Sequence, residues 1–534
     1  MASAILTLHR VHLALPDGRI LLDDCSTTLG PGLCALIGPN GSGKTLLAKI
    51  LAGLAAPTRG SIQRACAIAY LDQHGGSGDS LAEVAGLAPA LYALARLRDG
   101  SGDSADLELL DERWDLDTRW HAQLAAAGLD PALPAAALSG GQRMRLALIG
   151  AFCSTAGYLI LDEPSNHLDA NQRQWLLAQM QAWCAGGRGL LLISHDRALL
   201  AAADSTLAIA QRGLRRYGGG WDLVAASRTA ELAQAETALA QARAAQRQGE
   251  RARQEQSERA ARKAGRGARE RASGSQSKLL YDFKRERAEQ SAGALHTRHA
   301  AERAANLADL RAAADSAHAL QQRAAFPRTA PPLASGQTVL HLDQVRLPWG
   351  WQRPFSAQLC GPQRVHVRGP NGCGKSSLLH LIAGRLAPAG GQLRTPCGAA
   401  LLDQRLDLLA RSASALEQLC AGGLDAATAR HWLHQAGIGA AAAMRPAATL
   451  SGGEALRVAL LLVLLQRPQP RLLLLDEPSN HLDLDALDAL EAMLRSWGGA
   501  LLLVSHDARL AEAIAPDQVW QYDGAGWEVI AAPG

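Results

Sequence analysis

"GPNGSGKT", residues 38–45, and "GPNGCGKS", residues 369–376, are nearly the same glycine-punctuated octet, met twice in a chain of 534 residues. Each follows a short apolar run ("LCALI", "VHV") and precedes an apolar-periodic one ("LLAKILAGL", "SLLHLIAGRL"). That pattern reads as strand, loop, helix. Further landmarks recur outward from the octets in the same order. Lys44 to Gln73 and Lys375 to Gln404 both span 29 residues. "LSGGQ" starts at Leu138 and "LSGGE" at Leu450, "LDEPSNHLDA" starts at Leu161 and "LDEPSNHLDL" at Leu475, and "LLISHD" and "LLLVSHD" close the two sets. The chain is therefore a duplication, with residues 1–224 and 327–534 as its halves. The stretch from Gln73 to Ser139 exceeds its counterpart, Gln404 to Ser451, by 19 residues. The polar sequence around Asp99 to Trp120 is expected to hold the excess.

Composition narrows the class. Hydrophobic residues at 48% and charged residues at 19% describe a globular protein with ample core material. Nine scattered cysteines without a CxxC pair argue against a disulfide framework or a structural zinc site and fit a reducing cytosol. "MASAILTLHR" lacks the features of a signal peptide. The longest apolar runs, such as Val458 to Leu465, are too short to cross a bilayer. The expectation is a soluble, cytoplasmic protein. Only six lysines occur, among 54 basic residues, and two of them, Lys44 and Lys375, sit in the octets.

The octets have a mechanical reading. Their glycines let backbone N–H groups turn toward phosphate oxygens, and the following helix N-terminus adds favourable charge. Gly38, Pro39, Asn40, Gly41, Ser42 and Gly43 form the first cradle; Gly369, Pro370, Asn371, Gly372, Cys373 and Gly374 form the second. Lys44 and Lys375 would contact β/γ-phosphates, and the hydroxyls of Thr45 and Ser376 would ligate Mg²⁺. "YLILDEP" and "LLLLLDEP" are apolar strands ending in two carboxylates. An isolated pair of that kind usually caps a helix. Beside a phosphate loop in both halves, Asp162 and Asp476 fit the metal shell. Glu163 and Glu477 fit the polarisation of an attacking water. Gln73 and Gln404 end short strands and are placed near metal and γ-phosphate; His195 and His506 are placed against a γ-phosphate oxygen. A lone histidine at a strand end is usually just solvated, and these gain weight from their matching order.

"LSGGQ" and "LSGGE" offer a serine hydroxyl, backbone amides and a helix N-terminus to an anion. With loop, glutamine, carboxylates and histidine in this order, the chain resembles the ATP-binding cassette (ABC) superfamily. The resemblance implies an α/β fold: two ABC-type P-loop nucleotide-binding domains joined by a long α-helical hairpin linker. It also implies an ATPase with ATP and Mg²⁺ in two composite sites. The first joins Lys44, Thr45, Gln73, Asp162, Glu163 and His195 to Ser451, Gly452, Gly453 and Glu454. The second joins Lys375, Ser376, Gln404, Asp476, Glu477 and His506 to Ser139, Gly140, Gly141 and Gln142. Thr45, Gln73 and Asp162 in one site, and Ser376, Gln404 and Asp476 in the other, are the metal set. Within the superfamily, "DEPSNHLD" resembles the ABC-F proteins, whose usual stretch is "DEPTNHLD". Serine at Ser165 and Ser479 keeps the hydroxyl. An aromatic for stacking on adenine is missing ahead of the first loop, which offers Leu15 or Pro16; Trp349 and Trp351 are the candidates in the second half.

Between the halves, residues 225–326 change character. "ELAQAETALAQARAAQ" and "NLADLRAAADSAHAL" keep a thin apolar seam and read as a helical hairpin. Gly265, Gly267 and Gly274 are expected to break its middle, and helices of roughly 38 residues would reach on the order of 55–60 Å. Tyr281 and Phe283 are expected to pack within it. From Arg243 to Arg287 fourteen basic residues face six acidic ones, against a net charge of +4 for the whole chain. A basic run is often only a solvated face, but a basic prong also suits RNA. The ABC-F resemblance implies the ribosome as partner (rRNA and P-site tRNA), entry near the tRNA exit site, and either stall relief or antibiotic resistance. A DNA-binding ATPase and a transporter's ATPase subunit are the rivals. The resemblance implies no membrane contact and a monomer whose halves pair with each other.

Overall fold

A computed structural model describes residues 5–16, 18–166, 168–210, 213–272, 300–301, 303–311, 314, 325–327, 333–347, 351, 353–480 and 482–532. The chain forms two compact units: Met1–Val224 with Arg323–Gly534, and Ala225–Gln322. In the first unit each half carries a six-stranded sheet of identical order. The first runs Ile68–Leu71, Tyr158–Asp162, Gly189–Ile193, Gly32–Ile37, Ser205–Ala210, Gly213–Gly218. The second runs Ala399–Leu402, Leu472–Asp476, Ala500–Val504, Arg364–Arg368, Gln518–Tyr522, Trp527–Ala531. All pairings are parallel except the last in each sheet. A parallel sheet is covered on both faces, so its strands read as unbroken apolar runs. "YLILD", "GLLLI", "LLLLD" and "ALLLV" are buried at every residue.

Strand order is what assembles the site. Gly189–Ile193 lies between the strand that feeds the first octet and the strand that ends in the carboxylates. In such sheets ligands bind beyond the carboxyl ends of the strands. Octet, carboxylates and the "SHD" histidine therefore emerge side by side, although 38 and 195 are distant in sequence. A smaller antiparallel sheet flanks each half: Ile20–Leu29, Leu6–Ala14, Arg59–Arg64, and Phe355–Cys360, Thr338–Arg346, Gly390–Arg394.

The additional length of the first half is ordered as helix. Leu81–Val84, Ala88–Arg98, Ser104–Leu110 and Leu116–Ala127 are helices, against three in the second half at Ala415–Ala421, Ala426–Gln435 and Ala440–Ala443. Leu110, Leu116, Trp120 and Leu124 join one buried cluster with Leu94, Leu146 and Ile149. The polar look of the stretch came from the outer faces of amphipathic helices.

The helix Trp221–Ala272 is 52 residues long, roughly 78 Å at 1.5 Å per residue. It runs through Gly265 and Gly267, where a break was expected. An interior glycine costs only about 1 kcal/mol relative to alanine, which cooperative helix around it absorbs. Returning helix is described at 303–311, with Asn306 Nδ2 3.4 Å from where a Cβ on Gly249 would lie. Gly274, Tyr281, Phe283 and Trp349 lie outside the described residues. Among the described residues no helix is long and apolar enough to cross a membrane.

Candidate ATP sites

Each octet leads into a helix, Lys44–Ala52 or Lys375–Ile382, through a glycine in the left-handed region: Gly43 at φ 93° and Gly374 at φ 95°. A side chain is excluded there twice over. A Cβ on Gly43 would lie 2.9 Å from Leu21 Cδ1, and one on Gly374 would lie 2.9 Å from Trp351 Nε1. The lysines fold back over their own loops. Lys44 Nζ donates to the carbonyls of Gly38 (2.8 Å) and Pro39 (3.2 Å), and Lys375 Nζ to those of Gly369 (2.8 Å) and Pro370 (3.0 Å). Burial lowers the Lys44 ammonium's pKa, against the attraction of Glu163, Asp483 and Asp162.

Asp162 and Asp476 are buried at the ends of their strands. Burial pushes both carboxyls up, opposed first by hydrogen bonds from Thr45 and Ser376 respectively. Tyr70 also donates to Asp162, at 3.3 Å. Each hydroxyl and carboxylate thus meet as hard oxygen donors, with a glutamine amide lining the same cavity. Among the described residues no group of three or more His, Cys, Asp or Glu side chains converges. One carboxylate and one hydroxyl suit Mg²⁺, which takes few protein oxygens and completes its shell with phosphates and water. The donor sets fit the ion.

Glu163 and Glu477 stand in the left-handed region at φ 51° and 49°, a conformation that costs a non-glycine residue about 1–3 kcal/mol. Their N–H groups are nonetheless held by Ile193 O (2.8 Å) and Val504 O (2.9 Å). Burial pushes Glu163 up to about 8, opposed by Lys44 and reinforced by Asp162. It pushes Glu477 up to about 7, opposed first by Arg173. His195 Nε2 lies 3.3 Å from Glu163 Oε1, and His506 Nε2 3.4 Å from Glu477 Oε1. Neither Oε1 has a hydrogen-bond partner among the described residues, while Oε2 of Glu477 accepts from His506 N at 3.2 Å. A buried oxygen with spare accepting capacity is where a water can be gripped. Burial also holds the His506 imidazole near pKa 3, so it stays neutral.

Two cavities bring the halves together. The first, about 510 Å³, is lined by Asn40, Gly41, Gly43, Lys44, Thr45, Gln73, Asp162, Glu163 and His195, and across from them by Ser451, Gly452 and Gly453. The second, about 370 Å³, is lined by Asn371, Gly372, Gly374, Lys375, Ser376, Gln404, Asp476, Glu477 and His506, facing Ser139, Gly140 and Gly141. Gln142 and Glu454 are engaged elsewhere. Each closes a capping box with Ser139 or Ser451 at the start of its own helix, which the spacing S-x-x-Q/E signals in the sequence. Gly38, Pro39, Gly369 and Pro370 serve the lysines through their carbonyls, while Ser42 and Cys373 face inward. Leu15 lines the first cavity. Trp351 does not line the second: it is buried edge-on against Phe355 and Trp527.

Sequence reasoning missed the contacts that join the halves. Asn40 N donates to Asp483 Oδ2 across them at 3.2 Å. Arg197, buried just after His195, pairs with Asp488 at 2.9 Å and with Glu491 on the helix Leu484–Arg495. Nothing local marks such partners, because residues some 290 apart meet only through folding.

Comparison with known proteins agrees with this architecture. The family model described as ABC transporter matches residues 22–166 and 353–480. The chain is 31% identical to the ATP-binding protein Uup of Caulobacter vibrioides, over 99% of this chain and 79% of that one. It is 29% identical to the probable ATP-binding protein YheS of Escherichia coli O6:H1, over 95% and 77%. Among solved structures, the RNase-L inhibitor superposes with a TM-score of 0.58 at 17% identity, over 98% of this chain and 89% of that one. An archaeal ribosome recycling factor, solved with a ribosomal stalk protein, gives 0.57 at 18%, over 97% and 89%. At such identities the structures speak for the fold alone. Matched cassettes in both halves, with relatives aligned along nearly all of this chain, place the protein: it is an ATPase of the ATP-binding cassette superfamily and belongs to its ABC-F family.

Proposed function

We propose that this ATPase is a ribosome-binding factor, acting near the tRNA exit site and carrying its RNA contact on segment 225–326. The observation that carries the reading is the uninterrupted helix Trp221–Ala272, whose distal part lies in the basic run from Arg243 to Arg287. A helix of that length and charge suits a phosphate-rich particle. The solved relatives include a model titled as ribosome-bound archaeal Pelota and ABCE1. The segment's target would be the P-site tRNA and peptidyl-transferase region, with stall relief or antibiotic resistance as the outcome. The protein would work in the cytoplasm as a monomer, since one chain supplies both sides of each site.

In the ATP sites, Lys44 and Lys375 exchange their loop carbonyls for β/γ-phosphate oxygens. Thr45 with Asp162, and Ser376 with Asp476, would hold Mg²⁺, which when bound neutralises phosphate charge. Gln73 and Gln404 orient groups beside them. Glu163 and Glu477 accept the proton of an attacking water, and His195 and His506 donate to a γ-phosphate oxygen. Ser451 with Gly453, and Ser139 with Gly141, bind the nucleotide held by the opposite half. Replacing Glu163 and Glu477 together by glutamine should cut ATP turnover at least about 100-fold while leaving ATP bound. In ATP that variant should co-sediment with ribosomes; recovery of DNA or membranes instead overturns the assignment.

A further inference from the structure

The two sites are built from largely matched residues, and one of the mismatched side chains reaches both. Arg173 lines both cavities. Counting from the aspartates that cap the two helices, Asp169 and Asp483, its counterpart is Leu487, which is 1% exposed. Arg173 is the fourth residue of the helix Ala170–Ala185, where the helix dipole disfavours a cation. Tertiary contacts hold it there. Nε donates to Leu168 O at 3.0 Å and Nη1 to Asp196 Oδ2 at 3.0 Å, with 16% of the arginine side chain exposed.

Asp196 cannot swing freely. Its other oxygen caps the helix Arg197–Ala201 by accepting from Ala198 N (2.9 Å) and Leu199 N (3.3 Å), and its own N–H donates to Ser194 Oγ at 3.0 Å. Asp507 is anchored in the same way, through Arg509 N, Leu510 N and Ser505 Oγ. With Leu487 in the corresponding helix position, that half has no arginine to match Arg173. The ion pair is thus a fixed dipole between the sites. Asp196 lines the first cavity only, whereas Arg173 lines both.

We propose that Arg173 is a positioning residue that ties the histidine loop of the first half to the second ATP site, so that turnover at that second site depends on it. This rests on the reading of Glu163 and Glu477 given above. The link passes through Asp196, so a first-half residue governs turnover at the site of Lys375. Binding energies remain reciprocal between the sites, whereas rates need not be.

The test measures steady-state ATP hydrolysis by the full chain carrying Glu163→Gln, which leaves the second site working, or Glu477→Gln, which leaves the first. Adding Arg173→Leu, the residue of the opposite half, should lower kcat at least fivefold in the Glu163→Gln chain and less than twofold in the Glu477→Gln chain. Arg173→Lys should recover at least half of the lost rate, because it keeps the charge though not the fork. Asp196→Asn, which still caps its helix, should lower kcat at least threefold in the Glu163→Gln chain. Equal falls in both chains, or a lysine variant no better than leucine, overturn the proposal. If Glu163→Gln and Glu477→Gln do not themselves reduce hydrolysis, the site reading fails instead.

Discussion

Arg197 offers the sharpest test of how the halves are held. It is 4% exposed and belongs to the first half, while its partners Asp488 (40% exposed) and Glu491 (10% exposed) belong to the second. Breaking a buried ion pair by removing one partner costs about 3–5 kcal/mol, because the other charge stays buried. Two features lower the figure here. Asp488 keeps much of its hydration, and Glu491 retains Arg495 at 3.3 Å. Arg197→Met should therefore cost about 2–3 kcal/mol of closure, or roughly 30- to 150-fold in the closing equilibrium. Fluorescence energy transfer between dyes on the two halves, titrated with ATP in the Glu163→Gln/Glu477→Gln chain, reads that shift. The double variant Arg197→Met/Glu491→Met replaces the pair by apolar groups and should return to within about threefold of the starting value. Burial pushes the Glu491 carboxyl up, with Arg197 the leading opposing charge. Without the arginine the closed state binds its proton more tightly. Closure of Arg197→Met must then weaken as pH rises from the ordinary glutamate range toward that raised value, and recover on acidification. A single variant shifted less than threefold, or a double variant no better than the single, refutes the reasoning.

With Glu163 and Glu477 as the proposed bases, the two raised carboxylates should set the pH profile of hydrolysis. A general base works when ionised, so kcat/KM of the uncomplexed protein should climb with pH, on a limb near 8 where Glu163 acts and near 7 where Glu477 acts. Glu477→Gln should leave the higher limb and Glu163→Gln the lower; identical limbs would mean the environments do not differ as described. Tyr158 is fully buried, and its hydroxyl has no hydrogen-bond partner among the described residues. Tyr158→Phe should relieve about 1 kcal/mol of desolvation and raise the melting temperature by roughly 1–3 °C, as calorimetry would read. A lower melting temperature would indicate a hydroxyl partner after all.

How much was legible depended on how local the physics is. The octets, the buried strands that feed them and the order of landmarks are short-range patterns, and they led to the duplicated strand–loop–helix units; the pairing of each octet with the opposite "LSGG" came from the family resemblance they carry. The serine and the Gln142 or Glu454 of each "LSGG" stretch also spell a capping box, a local bond that the spacing announces. The expected breaks at Gly265 and Gly267 failed because propensity is a small term that a long helix overrides. Trp351 looked like an adenine wall, yet in the fold it is core.

The sequence by itself was enough to propose which groups this protein brings to ATP, since phosphate cradle, metal oxygens and base are each written within a few residues. Only the tertiary structure decided which contacts tie the two halves and their sites together. Arg173 against Leu487, Arg197 against Asp488 and Glu491, and Asn40 against Asp483 acquire meaning from neighbours in space. Charges interact through distance and burial, and neither is a property of sequence separation.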